Sequence, residues 1–297
     1  MVATITAVMP VYNGAHQIRR ALDSILRQTR PVDEVLVVDD GSTDETPEIV
    51  LGYGGIVRLV RQKNAGAAAA RNRAVREASS EWIAFLDHDD EWLPQKIELQ
   101  VAALEAHPEA RLCYCSRYWV QNVEGAKNLV QLPLPHDIVQ RARLGTPFPP
   151  SVVLLHKAEM LALGGFVEYL RTSCEDWEMF ARFVSTYPVV DIADPAVNYY
   201  ESEGSSSLKN ARQMMEHSLS IVEPALLCGL KGLDRILWRR RIRSIIYHQA
   251  AKTAARFGED AMRYLLQSYR EWPLPHPGRK RFALLGRVAM QNVRNRK

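Results

Sequence analysis

The 297-residue sequence has few cysteines and no long apolar run. Its four cysteines do not follow the spacing of a disulfide-rich or zinc-binding protein, so we expect reduced thiols in a cytoplasmic protein. The sequence has no stretch of about 18 apolar residues, so no transmembrane helix is predicted. It also lacks a charged N-terminal segment followed by an apolar core and a cleavage site, so no signal peptide is predicted. These absences argue against a disulfide scaffold and against an integral membrane protein.

Positive charge is scarce in most of the chain and concentrated near its end. Residues 231–297 hold 17 Lys and Arg against 4 Asp and Glu, whereas the other 230 residues hold 21 against 30. We therefore expect a distinct basic unit there. Few aromatic residues are interleaved with its charges, which argues against a nucleic-acid-binding protein. The sequence also lacks a P-loop, a Gly-x-Gly-x-x-Gly motif and a Ser/His/Asp pattern.

Apolar runs alternate with helical segments over the first 90 residues, which is typical of a parallel sheet with right-handed crossovers. The predicted strands cover residues 4–9, 35–38, 56–60, 82–86, 112–120 and 152–155. The predicted helices include residues 92–107, 157–163 and 175–186, and residues 208–297 are expected to be helical throughout. Ser42 and Glu45 have the spacing of a capping box. Residues 125–150 are rich in Pro and Gly and have weak periodicity, so they predict a mobile loop region.

Three carboxylates follow the fourth strand at Asp87, Asp89 and Asp90, with His88 between them. Like charges at a strand end are costly unless a cation or a polar ligand compensates them. Hard oxygen ligands suit Mg²⁺ or Mn²⁺, which often bind through one or two carboxylates and substrate phosphates. The cluster therefore predicts a metal–diphosphate site. The alternative is a solvated acidic turn, in which Asp90 caps a helix that begins near Trp92.

Three more motifs precede this cluster: a Pro-Val-Tyr-Asn turn from Pro10, an Asp-Asp-Gly-Ser-Thr-Asp turn from Asp39, and an Ala-Arg-Asn helix at Arg71. With the Asp-x-Asp cluster, these motifs in this order resemble the family 2 glycosyltransferases of the GT-A fold. The resemblance covers about residues 1–207. It implies an α/β catalytic domain, with a Rossmann-like, mostly parallel central sheet flanked by helices. Residues 208–297 are then a basic helical extension.

The resemblance also implies roles for particular residues. Asp89 and Asp87 are expected to hold Mg²⁺ or Mn²⁺. Asp176 is expected to act as the general base, with Glu175 orienting it or the acceptor, after the Gly-Gly-Phe segment at residues 164–166. The residues expected to contact the nucleotide are Pro10, Tyr12, Asn13, Asp39, Asp40, Arg71 and Asp87. The alternatives are ordinary turns around Tyr12 and Asp39, a structural ion pair for Arg71, and a simple helix start at Glu175 and Asp176.

The function implied is a metal-dependent, inverting transfer of a single sugar from a nucleotide-diphosphate sugar, with a UDP-sugar expected. The acceptor is expected to be a saccharide or a lipid-linked saccharide in surface polysaccharide or glycolipid synthesis. The alternative is a sugar-nucleotide-binding protein that has lost catalysis. Relatives commonly follow the last core strand with Tyr-Arg-x-His, but here Tyr200 is followed by Glu-Ser-Glu. That difference leaves open whether Glu203 replaces the histidine.

The basic extension carries apolar residues at helical spacing. Trp238, Ile242, Ile245 and Ile246 lie among four arginines, and Phe282, Leu285 and Val288 form a second stripe. A basic amphipathic helix can lie in a membrane interface that holds anionic lipid. The stripes can equally pack on the catalytic domain or on a second subunit of a homodimer. The sequence leaves both alternatives open, and with them a protein that is cytoplasmic or peripheral to the membrane.

Overall fold

The structure, a computed structural model, describes residues 4–120, 126–132, 134–170, 174–200, 211–257 and 260–274, together with residues 284 and 288. The chain forms two compact units. We call residues 1–142 with 146–205 the sheet unit, and residues 143–145 with 206–297 the helical unit. The sequence predicted a division after residue 207.

The sheet unit is built on one nine-stranded mixed sheet, in which β7 pairs with β6 beside the order β3-β2-β1-β4-β8-β6-β9-β5. The strands are β1 (Ile5–Val11), β2 (Glu34–Asp39), β3 (Val57–Arg61), β4 (Trp82–Phe85), β5 (Glu91–Trp92), β6 (Leu112–Val120), β7 (Lys127–Val130), β8 (Val153–His156) and β9 (Val189–Tyr200). Strands β1 to β4 run parallel, as do β6 and β9, whereas β8 is antiparallel to both β4 and β6.

The parallel strands are apolar because helices cover both faces of such a sheet. All seven residues of β1 and all four of β4 are buried. Strand β1 lies between β2 and β4, so the strand order reverses at β1. Ligands of open α/β sheets bind outside the carboxyl ends of the strands at such a switch point. The turns that follow β1, β2 and β4 all lie at that edge, and they carry three of the four sequence motifs.

Helices flank the sheet, and their buried faces explain their positions. The helices of this part of the chain are α1 (Ile18–Leu26), α2 (Thr46–Leu51), α3 (Ala67–Glu77), α4 (Lys96–Ala106), α5 (Ile138–Leu144), α6 (Lys157–Ala162) and α7 (Glu175–Thr186). Helix α1 buries Ile18, Leu22 and Ile25 at the spacing of one helix face. Helix α3 buries mainly alanines and packs on β1 and β2, where small side chains allow a close approach.

The helical unit contains α8 (Ala211–His217), a π-helical segment (Ser218–Val222), α9 (Glu223–Leu226), α10 (Gly232–Phe257) and α11 (Ala261–Glu271). Helices α10 and α11 pack together, and reciprocal hydrogen bonds join the hydroxyls of Ser244 and Ser268 to each other's carbonyl oxygens at 2.7 Å. The predicted α/β class and the helical extension are confirmed. No helix among the described residues is long and apolar enough to span a membrane.

Three local predictions are wrong. Residues 125–150 contain β7 and α5, because β7 gains its hydrogen bonds from β6 and short segments show little periodicity of their own. The helix predicted from Trp92 begins at Lys96, since Glu91 and Trp92 pair with β9 instead. The capping box also fails: α2 begins after Glu45 without a side-chain cap, and the hydroxyl of Ser42 accepts a hydrogen bond from the backbone of Asn13.

Candidate active site

The turns after β1 and β2 are joined by hydrogen bonds between their residues. The backbone N–H of Asn13 donates to Ser42 at 2.8 Å, and the Asn13 side-chain oxygen accepts from the N–H of Thr43 at 2.8 Å. Asn13 adopts a left-handed conformation with φ of 51°, which asparagine tolerates better than most residues. Asn13 therefore holds the two turns together, and a contact with a nucleotide stays a prediction.

Gly14 is required in this region because of close packing. Its backbone N–H donates to the hydroxyl of Thr46 at 3.0 Å. A Cβ at this position would lie 2.5 Å from the His88 ring and 2.6 Å from Val11. Since real side chains do not approach so closely, any larger residue must displace the His88 ring. Gly14 thus allows the first turn and the acidic turn after β4 to contact each other.

Asp39 and Asp40 are buried, and every oxygen of their carboxyl groups accepts a hydrogen bond from the protein. Asp39 accepts from the N–H of Ser42 at 3.0 Å and from Arg61 at 2.8 Å. Asp40 accepts from Gln62 and from the N–H groups of Ala65 and Gly66, each at 2.8 Å. Asp40 thereby fixes the segment that begins α3. These bonds give both carboxylates a structural role, and their predicted contact with a nucleotide is left untested.

Tyr12 and Pro10 differ in what they offer a ligand. The Tyr12 side chain is 48% exposed at the end of β1, so its ring is accessible for stacking. Pro10 is buried within β1, opposite Val38 of β2. Its side chain therefore contributes to packing, and only the turn that follows it faces the carboxyl edge of the sheet.

The acidic turn after β4 is held by Ser151. The N–H of Asp87 donates to the Ser151 hydroxyl at 3.1 Å, and that hydroxyl donates to Asp90 at 2.5 Å. The second oxygen of Asp90 accepts from the N–H of Tyr200 at 3.1 Å. Burial and the charges of Asp89 and Asp87 raise the pKa of Asp90 well above its ordinary value. Asp90 is thus a structural residue of the turn, and it caps no helix.

Asp89 and Asp87 are the carboxylates of this turn that remain available. Arg20 holds the backbone oxygen of Asp89 at 2.5 Å, whereas no described residue donates to its carboxylate. One oxygen of Asp87 accepts from Arg71 at 2.7 Å, which leaves the other oxygen. The described residues contain no group of three or more ligands arranged for a metal. Two carboxylates fit Mg²⁺ or Mn²⁺ only if a diphosphate and water supply further oxygens.

Arg71 joins this turn to the start of α7. Its guanidinium donates to Asp87 at 2.7 Å and to Glu175 at 3.2 Å, and the Arg71 side chain is only 7% exposed. Burial opposes its charge, but the two carboxylates raise the pKa of Arg71 above its ordinary value. One buried cation thus faces several carboxyl groups, and the surplus negative charge would attract a further cation.

Asp176 lies next to this ion pair in the first turn of α7. Burial and the charge of Glu175 raise the pKa of Asp176 to about 7, while Arg71 and the N–H of Trp177 oppose that increase. The helix start lowers the energy of the ionised form, but here burial outweighs it. A carboxyl group with a pKa near 7 is suited to accept a proton at neutral pH.

Asn72, which the sequence motif contained but did not explain, fixes the Gly-Gly-Phe segment. Its amide donates to the Phe166 carbonyl at 2.8 Å, and its oxygen accepts from the Phe166 N–H at 2.8 Å. A Cβ on Gly165, whose φ is 70°, would lie 2.5 Å from the Asn72 oxygen. Neighbouring residues of α3 therefore hold two separate parts of the site: Arg71 holds the carboxylates, and Asn72 holds the segment that leads to α7.

Tyr199 of β9 borders the same group of carboxylates, although no sequence motif indicated it. Burial raises the pKa of Tyr199, and the charges of Asp90, Asp87, Asp89 and Asp176 raise it further. The Tyr199 hydroxyl therefore lies within electrostatic range of the acidic turn and of Asp176. Glu203, which the sequence offered as a replacement for the family's histidine, lies outside the described residues.

Comparisons with known proteins support one family. Residues 6–152 match the family described as glycosyl transferase family 2. The amylovoran biosynthesis glycosyltransferase AmsE of Erwinia amylovora is 30% identical over 197 residues, which span 64% of this chain and 73% of AmsE. The chain spans only 36% of an uncharacterized glycosyltransferase of Rickettsia felis, with 28% identity over 218 residues.

Two further similarities concern a named activity and a solved structure. The UDP-Glc:alpha-D-GlcNAc-diphosphoundecaprenol beta-1,3-glucosyltransferase WfgD of Escherichia coli is 41% identical over 102 residues, 34% of this chain and 40% of WfgD. Residues 1–349 of S. aureus TarS, solved alone and in complex with UDP-GlcNAc, superpose with a TM-score of 0.65 at 20% and 19% identity. The structure without UDP-GlcNAc covers 91% of this chain and 81% of that chain. At this identity the likeness concerns the fold.

We predict that Asn72→Ala destabilises the sheet unit. It leaves both backbone groups of Phe166 without their partner, and each such buried hydrogen bond contributes about 1 kcal/mol. We expect a loss of about 2–3 kcal/mol in the free energy of unfolding, measured by urea denaturation. Asn128→Ala, at an exposed position of β7, is the matched control. Equal unfolding midpoints for the two variants would contradict the role of Asn72.

Proposed function

Because the chain belongs to glycosyl transferase family 2, we propose that it transfers a single sugar from a nucleotide-diphosphate sugar to an acceptor hydroxyl with inversion, and that it needs a divalent metal. The family and the GT-A fold class predicted from the sequence are confirmed. The observation that carries the proposal is the convergence of Asp87, Glu175 and Asp176 around Arg71, with Asp89 in the same turn.

The donor is proposed to lie over the ends of β1, β2 and β4. Exposed Tyr12 offers a ring on which the base can stack. At the predicted position of the diphosphate, Asp89 offers a carboxylate to which no described residue donates. A UDP-sugar is the proposed donor because the name of WfgD specifies UDP-glucose. Arg71 is proposed to position Asp87 rather than to bind phosphate directly, since its terminal nitrogens donate to Asp87 and Glu175.

Asp176 is proposed as the general base. Its carboxylate takes the proton of the acceptor hydroxyl while the hydroxyl oxygen bonds to the anomeric carbon and the bond to the nucleoside diphosphate breaks. A pKa of about 7 keeps a sizeable ionised fraction at neutral pH. Glu175, fixed by Arg71, raises that pKa and keeps the start of α7 beside the acidic turn.

Asp89 and the second oxygen of Asp87 are the groups proposed to hold Mg²⁺ or Mn²⁺. When bound, the ion offsets the negative charge of the diphosphate leaving group. Without it, the diphosphate would approach several carboxylates at once, which Coulomb repulsion disfavours. This arrangement supports a requirement for metal during donor binding.

The acceptor is proposed to be a lipid-linked saccharide in surface polysaccharide or glycolipid synthesis. The names of AmsE and WfgD support this, the first through amylovoran biosynthesis and the second through a diphosphoundecaprenol acceptor. A lipid-linked acceptor is confined to a bilayer, so an enzyme that adsorbs to the bilayer meets it at a higher local concentration.

We propose the first two turns of α10 as a bilayer-binding face. Leu233, Ile236 and Leu237 are 69%, 56% and 43% exposed at the spacing of one helix face, and Lys231 and Arg240 are exposed nearby. These residues are not the apolar stripe that the sequence indicated, which begins at Trp238.

In that predicted stripe, Ile242, Ile245 and Ile246 are buried, and among the surrounding cations Arg239 and Arg243 pair with Glu223. The buried stripe therefore stabilises the helical unit, whereas the start of α10 offers exposed apolar side chains beside exposed cations. Phe282 and Leu285 of the second predicted stripe lie outside the described residues.

We predict that Asp176→Asn nearly abolishes transfer and leaves UDP binding unchanged. Removal of a general base typically costs about 10²–10⁴ in rate. For the wild type, the rate should fall about tenfold per pH unit below pH 7, because protonated Asp176 cannot act as a base. Mn²⁺-dependent turnover of a panel of UDP-sugars provides the assay, and exposed Asp137→Asn is the control. Near-normal turnover of Asp176→Asn would mean that the carboxylate serves only the helix start.

We predict that Asp89→Ala removes the effect of metal on nucleotide binding. Calorimetry with UDP in MnCl₂ and in EDTA should show at least tenfold tighter binding with Mn²⁺ for the wild type, or about 1.4 kcal/mol. The variant should bind UDP equally in both buffers, and Asp137→Ala should resemble the wild type. A variant that keeps the full gain from Mn²⁺ would refute the assignment of Asp89.

We predict that the Leu233→Ser/Ile236→Ser double variant of the intact chain loses affinity for anionic vesicles. Burial of two large apolar side chains in an interface is worth several kcal/mol in total. Co-sedimentation with phosphatidylglycerol vesicles at low salt measures the effect, and phosphatidylcholine vesicles test the need for charge. Leu266→Ser, at an exposed position of α11, is the control. Failure of the wild type to sediment with anionic vesicles contradicts the proposal.

A further inference from the structure

Arg117 is the one charged residue of β6, in a strand that is otherwise apolar, aromatic or small. Its Nε and Nη1 atoms are buried, and no residue that the structure describes accepts a hydrogen bond from either atom. A buried donor without a partner costs about 1–3 kcal/mol, and more when the group is charged. Burial accordingly lowers the pKa of Arg117 below its ordinary value. The strand thus holds a cation at a cost that the described protein groups do not offset.

Arg117 lies beside the candidate active site through Tyr199. The centre of its guanidinium is 5.1 Å from the centroid of the Tyr199 ring, and Trp119 packs on the same ring with centroids 5.4 Å apart. The Tyr199 hydroxyl is influenced by the carboxyl groups of the acidic turn and of Asp176. The charge of Asp90 also acts directly on Arg117. The Tyr199 ring, on which Trp119 packs, thus lies against a guanidinium that is within electrostatic range of the acidic turn.

The Nε and Nη1 groups of Arg117, which lack hydrogen bonds to described residues, indicate what kind of ligand Arg117 can bind. No ion pair among the described residues includes Arg117, although the carboxyl group of Asp90 lies within electrostatic range. An arginine in such surroundings would ordinarily form a paired contact with a carboxylate. A buried polar group without a partner in a native structure calls for an explanation, and a bound water, ion or ligand is one such explanation. A phosphate group suits a planar fork of N–H groups, and no protein group that the structure describes takes that place.

We propose that Arg117 is an anion-binding residue of this site and that its ligand is a substrate phosphate. The proposal rests on the proposed function, because a nucleotide-sugar donor brings a diphosphate and a lipid-linked acceptor can bring another. Both sources have the same chemistry. In either case the incoming negative charge meets Asp87, Asp89 and Asp176, while the terminal nitrogens of Arg71 are already engaged. Arg117 supplies a positive charge that remains available.

Calorimetry with inorganic pyrophosphate, once in a buffer with Mg²⁺ and once in EDTA, tests this contact with and without metal. We expect Arg117→Met to weaken pyrophosphate binding at least tenfold. Arg117→Lys should lie between this variant and the wild type, since lysine keeps the charge but not the planar fork. Arg58→Met is the matched control: Arg58 lies on β3, at the opposite edge of the sheet, and already pairs with Glu34 and Glu77. That control should change the affinity less than twofold.

A competition experiment separates the two sources of phosphate. If excess UDP prevents pyrophosphate binding to the wild type, Arg117 contacts the donor diphosphate. If pyrophosphate still binds the UDP-saturated protein, and Arg117→Met removes that binding, Arg117 contacts the acceptor phosphate. Either result supports the proposal. A wild type that binds pyrophosphate through Arg117 but does not bind UDP would refute the nucleotide donor and leave the anion site standing.

Two results would overturn the proposal. One is the absence of measurable pyrophosphate binding to the wild type in both buffers. The other is wild-type affinity of Arg117→Met for both pyrophosphate and UDP, in a variant whose thermal unfolding midpoint shows that it is folded. If Arg117→Met does not fold, Arg117→Lys decides, because unchanged affinity in that variant argues against a bidentate contact. A purely structural role would change the unfolding midpoint and leave the affinity of the folded variant unchanged.

Discussion

The ion pair of Arg71 with Asp87 and Glu175 is the interaction on which the rest of the site depends. It joins residues that are 16 and 104 positions apart in the chain, from α3, the turn after β4 and the start of α7. Removing one partner of such a buried pair typically costs about 3–5 kcal/mol, because the remaining charges lose their compensation. The next residue, Asn72, fixes the segment before α7. A single turn of α3 thereby determines where Asp176 lies relative to the acidic turn.

Burial and hydrogen bonding divide the carboxylates of the sheet edge into two groups. Asp39, Asp40 and Asp90 are buried, and all their oxygens accept hydrogen bonds that shape the turns. The carboxylate of Asp89 has no described donor, and Asp176 has a pKa of about 7 because burial and Glu175 outweigh Arg71. The first group fixes the geometry of the edge, and the second remains available for a metal and for a proton. Arg117 has the complementary property: it is a half-buried cation whose buried Nε and Nη1 groups donate to no described residue.

In the helical unit, some of the many cations are likewise held by buried partners. Buried Glu223 pairs with Arg239 and Arg243, and Arg241 stacks on Trp238 and Trp272 at 5.2 and 5.9 Å. The buried apolar residues Ile242, Ile245 and Ile246 of α10, which recur at helical spacing, are thus used for packing within the unit. Exposed apolar side chains remain at the start of α10, where Lys231 and Arg240 are also exposed. A net charge alone could not have separated cations that stabilise the fold from cations that face solvent.

The sequence by itself determined the family, the α/β class, the helical character of the extension, and the edge of the sheet at which the motifs meet. Each of these depends on short segments whose order along the chain was visible, since strand ends in a parallel sheet share one edge. Tertiary structure alone decided that Arg71 forms an ion pair, that Ser42 caps no helix, that Asn13 and Asp40 hold turns, and that β5, β7 and α5 exist. It alone brought Tyr199 and Arg117 to the site. These features arise from partners far away in the chain, such as Asp90 and Tyr200 at a separation of 110 residues, and local periodicity contains no information about such pairs.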